Sequence, residues 1–346
     1  MQVSTIGLDI AKNLFQIHGV DADGNTVIRK RLGRSNMLSF FANLPRCVVG
    51  MEACATAHYW ARELLAMGYQ VKLMPPAYVK PYIKRGKNDA ADAEAICEAV
   101  MRPTMRFVPI KSAEQQSALM LHRSRDLLIR QRTMLANALR SHFAELGIVI
   151  AQGLRNLPKL IELVVHDADG RIPAIARKVL GVLVAQIEDV QHRIENLERA
   201  LLSWHRSNQA SLRLETIPGI GFITASAIAA TVTDPSQFVS GRQFAAWLGL
   251  VPRQNSSGGK ERLGRISKMG DQYLRRLLVV GATALIRFAR NRATPLAAWA
   301  DKLLTRRPAR LVSVALANKI ARVAWAVLLR GGHYRSQPTI AATATA

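Results

Sequence analysis

The segment Gly7-Leu-Asp-Ile-Ala-Lys12 ends the first apolar run of the chain, and Asp9 lies at that end. A second apolar run ends in the same way on Glu52. Asp89 and Asp92 are three residues apart in a helix-like stretch, so they share one helix face. Carboxylate oxygens are the preferred ligands of hard divalent cations, so we expect the four acids to hold Mg²⁺ or Mn²⁺.

The first hundred residues alternate between strand-like and helix-like patterns. The pattern predicts strands at 3–9, 15–21, 26–32, 47–51 and 70–74, and helices at 35–43 and 57–67. The order β-β-β-α-β-α-β, with acids ending the first and fourth strands, is typical of ribonuclease H-like nuclease and integrase domains. Such an order makes those two strands neighbours, so the acids converge. The predicted fold class is an α/β, RuvC-like N-terminal domain followed by all-α parts.

The composition favours a partner that is a polyanion. The chain has 346 residues, 49% of them hydrophobic, which is enough for two or three domains. It carries 48 Lys and Arg against 24 Asp and Glu, a net charge of +24. Residues 242–335 alone hold 19 Lys and Arg and three acids, a net charge of +16. We therefore expect nucleic acid as the partner, contacted mainly by the C-terminal third.

A membrane location is not expected. The longest apolar stretch, 312–329, is interrupted by Asn318, Lys319 and Arg322, which argues against a transmembrane helix. The first apolar run is interrupted by Asp9, so it does not fit a secretory signal. We expect a cytoplasmic protein.

Two long helical stretches follow the α/β region, and four segments are predicted in all. The pattern predicts one helix over residues 113–146. The second helical stretch has apolar residues alternately three and four apart, the seam of a coiled coil: Leu180, Leu183, Ile187, Val190, Ile194, Leu197, Leu201 and Trp204. This pattern leaves open whether the helices pair within the chain or between copies. The predicted segments are a RuvC-like domain (1–110), a coiled-coil arm (111–208), a helical DNA-binding domain (209–335) and a disordered tail (336–346).

The C-terminal third contains two glycine-rich segments. Ile217-Pro-Gly-Ile-Gly-Phe-Ile-Thr224 resembles the hairpin of a helix-hairpin-helix module, in which Gly219 and Gly221 let backbone N–H groups approach a phosphate. The second segment, Asn255-Ser-Ser-Gly-Gly259, has the composition of a flexible connector. Its basic flanks favour instead a serine that attacks a phosphodiester, because cations neutralise the developing charge.

Basic residues near the predicted sites are candidates for holding nucleic acid. Lys84, Arg85 and Lys87 precede the acid pair and either hold the scissile strand or form a solvated loop. The other candidates surround the serine segment: Arg253, Lys260, Arg262, Arg265 and Lys268.

Motifs along nearly the whole chain, from about Ile6 to Arg330, resemble one family. They are GLDIAK, GMEACATAHYWA, LMPPAYVKPYIKRGKNDAADAEAI, RPTMRFVPIKS, IPGIG and AAWLGLVPRQNSSGGKERLGRISKMGD. In this order they resemble the DEDD insertion-sequence transposases related to pilin-gene invertases, the IS one-ten type.

The resemblance implies roles for individual residues. Asp9, Glu52, Asp89 and Asp92 match the four acids of a RuvC-like domain, and Ser257 matches the nucleophilic serine, with Ser256 as the alternative because the serine is doubled. Members of the family form a phosphoserine link to DNA at a site shared between subunits. They use a structured RNA of the element to choose donor and target DNA. The coiled-coil seam implies self-association, and we expect a homodimer that assembles into a homotetramer.

The resulting hypothesis is a transposase that cuts, covalently holds and rejoins DNA. One alternative is a RuvC-like nuclease or junction resolvase, in which water attacks and the serine segment only grips DNA. A second alternative is a noncatalytic nucleic-acid-binding scaffold. DNA affinity alone does not distinguish these three hypotheses, because the positive charge of the protein would bind DNA under each of them.

Overall fold

The computed structural model describes residues 2–83, 89–166, 170–256, 258–260, 262–287 and 294–335, with the side chain of Asp89 excepted. The chain divides into two compact units, Met1–Gln116 and Ser117–Ala346.

The N-terminal unit is a mixed five-stranded sheet with helices. Its elements are β1 Thr5–Ile10, β2 Leu14–Val20, β3 Thr26–Gly33, α1 Met37–Ala42, β4 Val48–Glu52, α2 Ala57–Ala66, β5 Gln70–Met74, α3 Pro76–Val79 and α4 Asp89–Val100. The strand order is β3-β2-β1-β4-β5. β2 is antiparallel to β1 and β3, whereas β1, β4 and β5 run parallel. The predicted strands and the two predicted helices are confirmed to within about three residues, and the architecture is consistent with a ribonuclease H-like domain.

The two faces of β1 are packed differently. Ile6 and Leu8 are fully buried in a core that includes Trp60 of α2. Because successive residues of a strand point to opposite faces, Gly7 and Asp9 belong to the other face. There α4 lies so close that a Cβ added to Gly7 would overlap the Ala93 carbonyl oxygen.

Replacing Gly7 with alanine is expected to lower the stability of the N-terminal unit by about 1–3 kcal/mol, because the new methyl group overlaps α4 backbone and helix and strand must separate. The measurement is urea unfolding followed by circular dichroism. Gly33→Ala in β3 is the matched control, since Gly33 has an ordinary φ of −68° and its nearest neighbour would be Ser35 Oγ at 4.0 Å. An unchanged midpoint for Gly7→Ala would contradict the close packing.

The C-terminal unit is mainly helical. Its first helix, α5 Ala113–Glu145, begins at the boundary between the units; the others are α6 Leu157–Val165, α7 Ala174–Ser207, α8 Gln209–Glu215, α9 Phe222–Thr231, α10 Gly241–Trp247, α11 Gln272–Arg287, α12 Pro295–Leu304 and α13 Ala309–Arg330. A two-stranded ribbon, β6 Pro252–Gln254 and β7 Leu263–Ile266, interrupts them. The composition of this segment predicts a flexible connector, and neither strand of the ribbon is predicted from the sequence.

The long helices α5 and α7 pack against each other, antiparallel, within the chain. Arg125 of α5 donates to Glu198 of α7 at 2.6 and 2.8 Å, and Arg132 donates to Gln191. Further along, Leu139 and other α5 residues share a core cluster with the start of α7. The structure therefore selects pairing within the chain for these two helices. Their description as a coiled coil stays a prediction.

Among the described helices, α13 is the one that is long and apolar enough by length and composition to cross a membrane. Its buried residues, including Leu316 and Ile320, belong to the main core of the C-terminal unit. In this structure α13 packs as a core helix of a folded unit.

A buried histidine links three helices of the C-terminal unit. His122 Nδ1 lies 3.1 Å from the Tyr273 hydroxyl, and Nε2 lies 3.1 Å from Ser226 Oγ. The Ser226 hydroxyl donates to the Phe222 carbonyl at 2.6 Å, so Nε2–H donates to Ser226 and Nδ1 accepts from Tyr273. Burial, and then the charge of Arg125, lower the pKa of His122 to about 4.

Stability of this unit is expected to fall as pH falls below about 6.5. The unfolded state then binds a proton on this histidine that the folded state, with its lower pKa, does not bind. Between pH 7.5 and 5 the free energy of unfolding is expected to fall by on the order of 2 kcal/mol. The measurement is urea unfolding at each pH. His122→Gln should remove this part of the pH dependence, whereas His142→Gln, at an exposed position of α5, should keep it. Equal pH dependence in wild type and His122→Gln would contradict the assignment.

Candidate functional site

The fold brings Asp9 and Glu52 to one edge of the sheet. β1 and β4 are parallel neighbours with Leu8 opposite Met51, so the next residues along, Asp9 and Glu52, follow side by side. Both lie on the sheet face that α4 covers, because they alternate with Leu8 and Met51, which are buried in the core on the opposite face. Both acids are half-buried.

Asp92 reaches the same place through α4. The next residue, Ala93, lies against Gly7, two residues before Asp9. At the far end of α4, a Cβ on Gly50 would come within 2.7 Å of Val100, so the helix also rests closely on β4. Asp89 begins α4, three residues before Asp92, and its side chain lies outside the described part of the chain.

The three described acids share one electrostatic environment. Burial raises the pKa of Glu52, and the negative charges of Asp9 and Asp92 raise it further. Burial also raises the pKa of the neighbouring Cys54 thiol, followed by the charge of Glu52. Like charges held this close destabilise one another unless a cation or a proton neutralises them.

The donor set suits a hard divalent cation. Among the residues whose side chains are described, no three of His, Cys, Asp and Glu are grouped closely enough to hold one ion together. Mg²⁺ is usually held by one or two carboxylates plus substrate phosphates rather than by a complete protein cage. The crowded carboxylates therefore fit such an ion.

The serine segment forms the tip of the β6–β7 ribbon. Pro252 pairs with Ile266, and Gln254 pairs with Leu263. The Asn255 N–H donates to the Arg262 carbonyl at 2.8 Å, which closes the pairing just below the tip.

Within the tip, Ser256 has a structural contact and Ser257 lies outside the described residues. Ser256 is exposed, and its Oγ accepts the Arg262 N–H at 3.2 Å. Gly258 and Gly259 have φ of 57° and 77°, the left-handed region that glycine adopts most readily. The two glycines thus account for the sharp turn of the chain.

The predicted basic residues around the serine are exposed and lie on the ribbon or beside it: Arg253, Lys260, Arg262, Arg265 and Lys268. Arg253 donates to the Ser267 carbonyl at 3.2 and 3.4 Å, which fixes its guanidinium along the ribbon. The other predicted basic group, Lys84, Arg85 and Lys87, falls outside the described residues.

The predicted helix-hairpin-helix segment connects α8 to α9, and its two glycines differ. The Gly219 backbone packs against Gly281 of α11, so close packing inside the unit explains why a glycine occupies this position. Gly221 is exposed at the N-terminal end of α9, with nothing within 4 Å of an added Cβ. Of the two, Gly221 is the one open to a ligand.

A groove beside the ribbon was missed by the sequence analysis. Its charged residues are Arg242, Arg265, Lys319 and Arg322. They come from three separated parts of the chain. No local sequence motif contains these residues. The only indication of them in the sequence is the excess of positive charge in the C-terminal third.

Two parts of the chain match transposase family models. Residues 6–148 match the model of a DEDD transposase of the IS110 type, described as "Transposase". Residues 211–297 match a model described as "Transposase IS116/IS110/IS902 family". The first segment contains the four acids, and the second contains the serine tip.

Full-length relatives give the same assignment. The chain is 49% identical over 336 residues to a probable family 20 transposase of Pseudomonas aeruginosa, which covers 97% of this chain and 99% of the relative. It is 42% identical to the transposase for insertion sequence element IS1328 of Yersinia enterocolitica, covering 95% and 98%. It is 40% identical to the transposase for IS1111A of Coxiella burnetii, covering 96% and 92%.

Proposed function

The chain belongs to the IS116/IS110/IS902 transposase family and is therefore a DNA transposase, and from this premise we propose that it exchanges DNA strands through a serine–DNA ester. Its N-terminal unit acts as a RuvC-like metal-binding domain. The C-terminal unit presents Ser257 and contacts DNA.

The observation that carries the proposal is that Asp9 and Glu52 lie side by side at the ends of β1 and β4, with Asp92 of α4 close enough for its charge to act on Glu52. Burial, and then the charges of Asp9 and Asp92, raise the pKa of Glu52, and carboxylates placed in this way are costly for stability without a counter-ion. A site that retains such repulsion, although it lowers the stability of the fold, is expected to use the charge for function. Asp89 is the fourth acid of the proposed set.

In the proposed reaction, the Ser257 hydroxyl oxygen attacks the scissile phosphorus. The Oγ–P bond forms as the bond between phosphorus and the deoxyribose oxygen breaks, the serine proton passes to solvent or a nearby base, and the released oxygen gains a proton. The step exchanges one phosphodiester bond for another, so the energy of the broken bond is kept in the serine–DNA ester. A hydroxyl of another strand then reverses the step and rejoins DNA without an added energy source.

Mg²⁺ or Mn²⁺ held by Asp9, Glu52, Asp89 and Asp92 would neutralise charge on the reacting phosphate. The acids, held by β1, β4 and α4, would set the position of that cation and, through it, the position of the phosphate. Arg253, Lys260 and Arg262 near the serine neutralise charge on flanking phosphates, and Arg265 and Lys268 do the same further along the ribbon. In the N-terminal unit, Lys84, Arg85 and Lys87 are proposed to hold the scissile strand. The N–H groups near Gly219 and Gly221 are a further proposed phosphate contact.

Ser257 is favoured over Ser256 as the nucleophile. Ser256 Oγ accepts the Arg262 N–H, so it contributes to the closure of the tip. Ser257, the serine directly before Gly-Gly-Lys, is the one that matches the nucleophilic serine of the family.

The substrate is DNA, and we propose a structured RNA of the element as the guide that selects donor and target sites. The net charge of +24 supports binding to more than one polyanion. Location in the cytoplasm, without a membrane, and the division into four segments stay predictions.

We propose that the active form is a homodimer that assembles into a homotetramer. An apolar row on α5, spaced by seven residues, supports this: Met120, Leu127 and Met134 are 64%, 58% and 71% exposed. Such a row is buried at low cost against a second copy.

The double substitution Leu127→Glu and Met134→Glu is expected to lower the oligomeric state, because it places two charges in the proposed contact. The measurement is mass by light scattering after size-exclusion chromatography. Val149→Glu, at a position 84% exposed outside any helix, should leave the mass unchanged. A double variant with the wild-type mass would rule out this row as the contact.

The experiment that tests the proposed function is a denaturing gel of wild-type protein with labelled donor and target DNA, the element's RNA and Mg²⁺. A protein–DNA adduct is expected. Cleavage without adduct would indicate a nuclease or resolvase that uses water, and DNA binding without cleavage would indicate a scaffold.

A further inference from the structure

A groove of about 1340 Å³ in the C-terminal unit lies between the β6–β7 ribbon and helices α10, α12 and α13. We call it the α13 groove, because one face of α13 forms its floor through Leu311, Ala315, Asn318, Lys319, Arg322 and Ala326. The residues on this floor recur three and four apart, as one helix face requires.

The α13 groove combines aromatic and apolar walls with positive charge. Trp299 and Trp325 line it together with the apolar residues of α13. Its charged lining residues are Arg242, Arg265, Lys319 and Arg322, and the described lining contains no acid. This combination suits a ligand that is flat and apolar on one part and anionic on another.

The aromatic walls are held in place. Lys319 Nζ lies 4.4 Å from the Trp299 ring centre, and Trp325 Nε1 donates to the Pro235 carbonyl at 3.0 Å. Burial and the neighbouring Arg322 lower the pKa of Lys319, a cost to the ammonium that a bound anion would relieve.

The α13 groove shares residues with the serine ribbon. Pro252 of β6 and Arg265 and Ile266 of β7 line it, and Pro252 pairs with Ile266 at the base of the ribbon. A DNA strand that reaches the serine tip therefore passes close to this groove within the same unit.

We propose that the α13 groove receives an unpaired nucleotide of the substrate DNA, next to the phosphate that is cut. Its base stacks on the aromatic and apolar wall, and Arg322 and Arg265 contact its phosphates. The proposal rests on the proposed function, since it takes the strand at the ribbon to be the DNA substrate. An intact duplex gains little from an apolar wall, because its base faces are already stacked, whereas an unpaired base gains from stacking.

The test is a mismatch scan with the full-length Ser257→Ala protein, which separates binding from strand cutting. Donor DNA carries a single mismatch at each position around the cleavage point, and binding is measured by fluorescence anisotropy. A mismatch removes part of the cost of unpairing, so one or two adjacent positions should bind on the order of 10-fold tighter. Ala315→Phe, which fills the groove, should abolish that gain, and Ala298→Phe, exposed on α12 outside the lining, should keep it.

A matched pair of arginine variants tests the phosphate contact. Arg322→Ala should weaken binding of the mismatched DNA by about 10- to 150-fold, the range expected for loss of a charge-assisted hydrogen bond to a phosphate. Arg310→Ala removes the same charge from an exposed position of α13 outside the lining and should have a much smaller effect. Equal losses in the two variants would overturn the proposal.

Photocrosslinking locates the base. DNA carrying 5-iododeoxyuridine at the favoured position should crosslink to peptides containing Trp299 or Trp325. Crosslinks elsewhere would overturn the proposal, as would crosslinks to these peptides only from iodouridine-labelled RNA, which would assign the groove to RNA. Because none of these readouts needs the serine, an absent adduct in wild type would reject the serine chemistry without changing this result.

Discussion

Ser257→Ala is expected to abolish the covalent protein–DNA adduct and to reduce strand exchange by at least about 10³-fold, because alanine has no oxygen to attack phosphorus. DNA binding should remain within a few-fold of wild type, since the basic residues of the ribbon are unchanged. The measurements are the denaturing gel for the adduct and an anisotropy titration for binding.

Ser256→Ala is the matched control for this prediction. It removes the acceptor of the Arg262 N–H, at a cost of about 1 kcal/mol in stability, but leaves Ser257 in place. It should still form the adduct. If Ser256→Ala loses the adduct and Ser257→Ala keeps it, the nucleophile is Ser256; an adduct in both variants would reject both serines.

Asp9→Asn is expected to reduce strand cutting by about 10³-fold or more, an effect of several kcal/mol on the reaction barrier. Asparagine keeps the shape of the side chain but removes the charge that would attract a divalent cation. Adduct formation should be lost together with cutting, while DNA binding persists.

A second readout separates loss of cation binding from loss of folding. Wild-type protein should unfold at a higher temperature when Mg²⁺ is added, because a ligand that binds the folded state stabilises it. Asp9→Asn should still unfold in one cooperative transition without Mg²⁺, but it should show a smaller increase, because it removes one of the charges that would attract the cation. Asp23→Asn, in the exposed β2–β3 turn, should behave as wild type; an equal Mg²⁺ response in all three proteins would contradict a site at Asp9.

Local patterns were sufficient to predict the N-terminal unit. Apolar alternation predicts β1 to β5, and the strand order then places Asp9 beside Glu52, as the structure confirms. The close approach of α4 to Gly7 was not predicted, because it depends on where the helix lands on the sheet and not on any spacing within the chain.

The C-terminal unit was predicted less completely. Pairing of α5 with α7 was left open, because an apolar seam does not say which helix covers it. The β6–β7 ribbon was missed, since its strands have three and four residues and mostly exposed side chains. The α13 groove combines α10, α12, α13 and the ribbon, and only tertiary packing brings these together.

The close packing of α4 on the sheet changes how copies of such an element should be compared. A copy is judged intact when its four acids and its serine are present. A side chain larger than hydrogen at position 7 or 50 would push α4 off the sheet and carry Asp92 away from its partners while every acid remained in the sequence. Decay of a mobile element can therefore begin at a residue that has no functional group, and a census of intact copies has to include these two glycines.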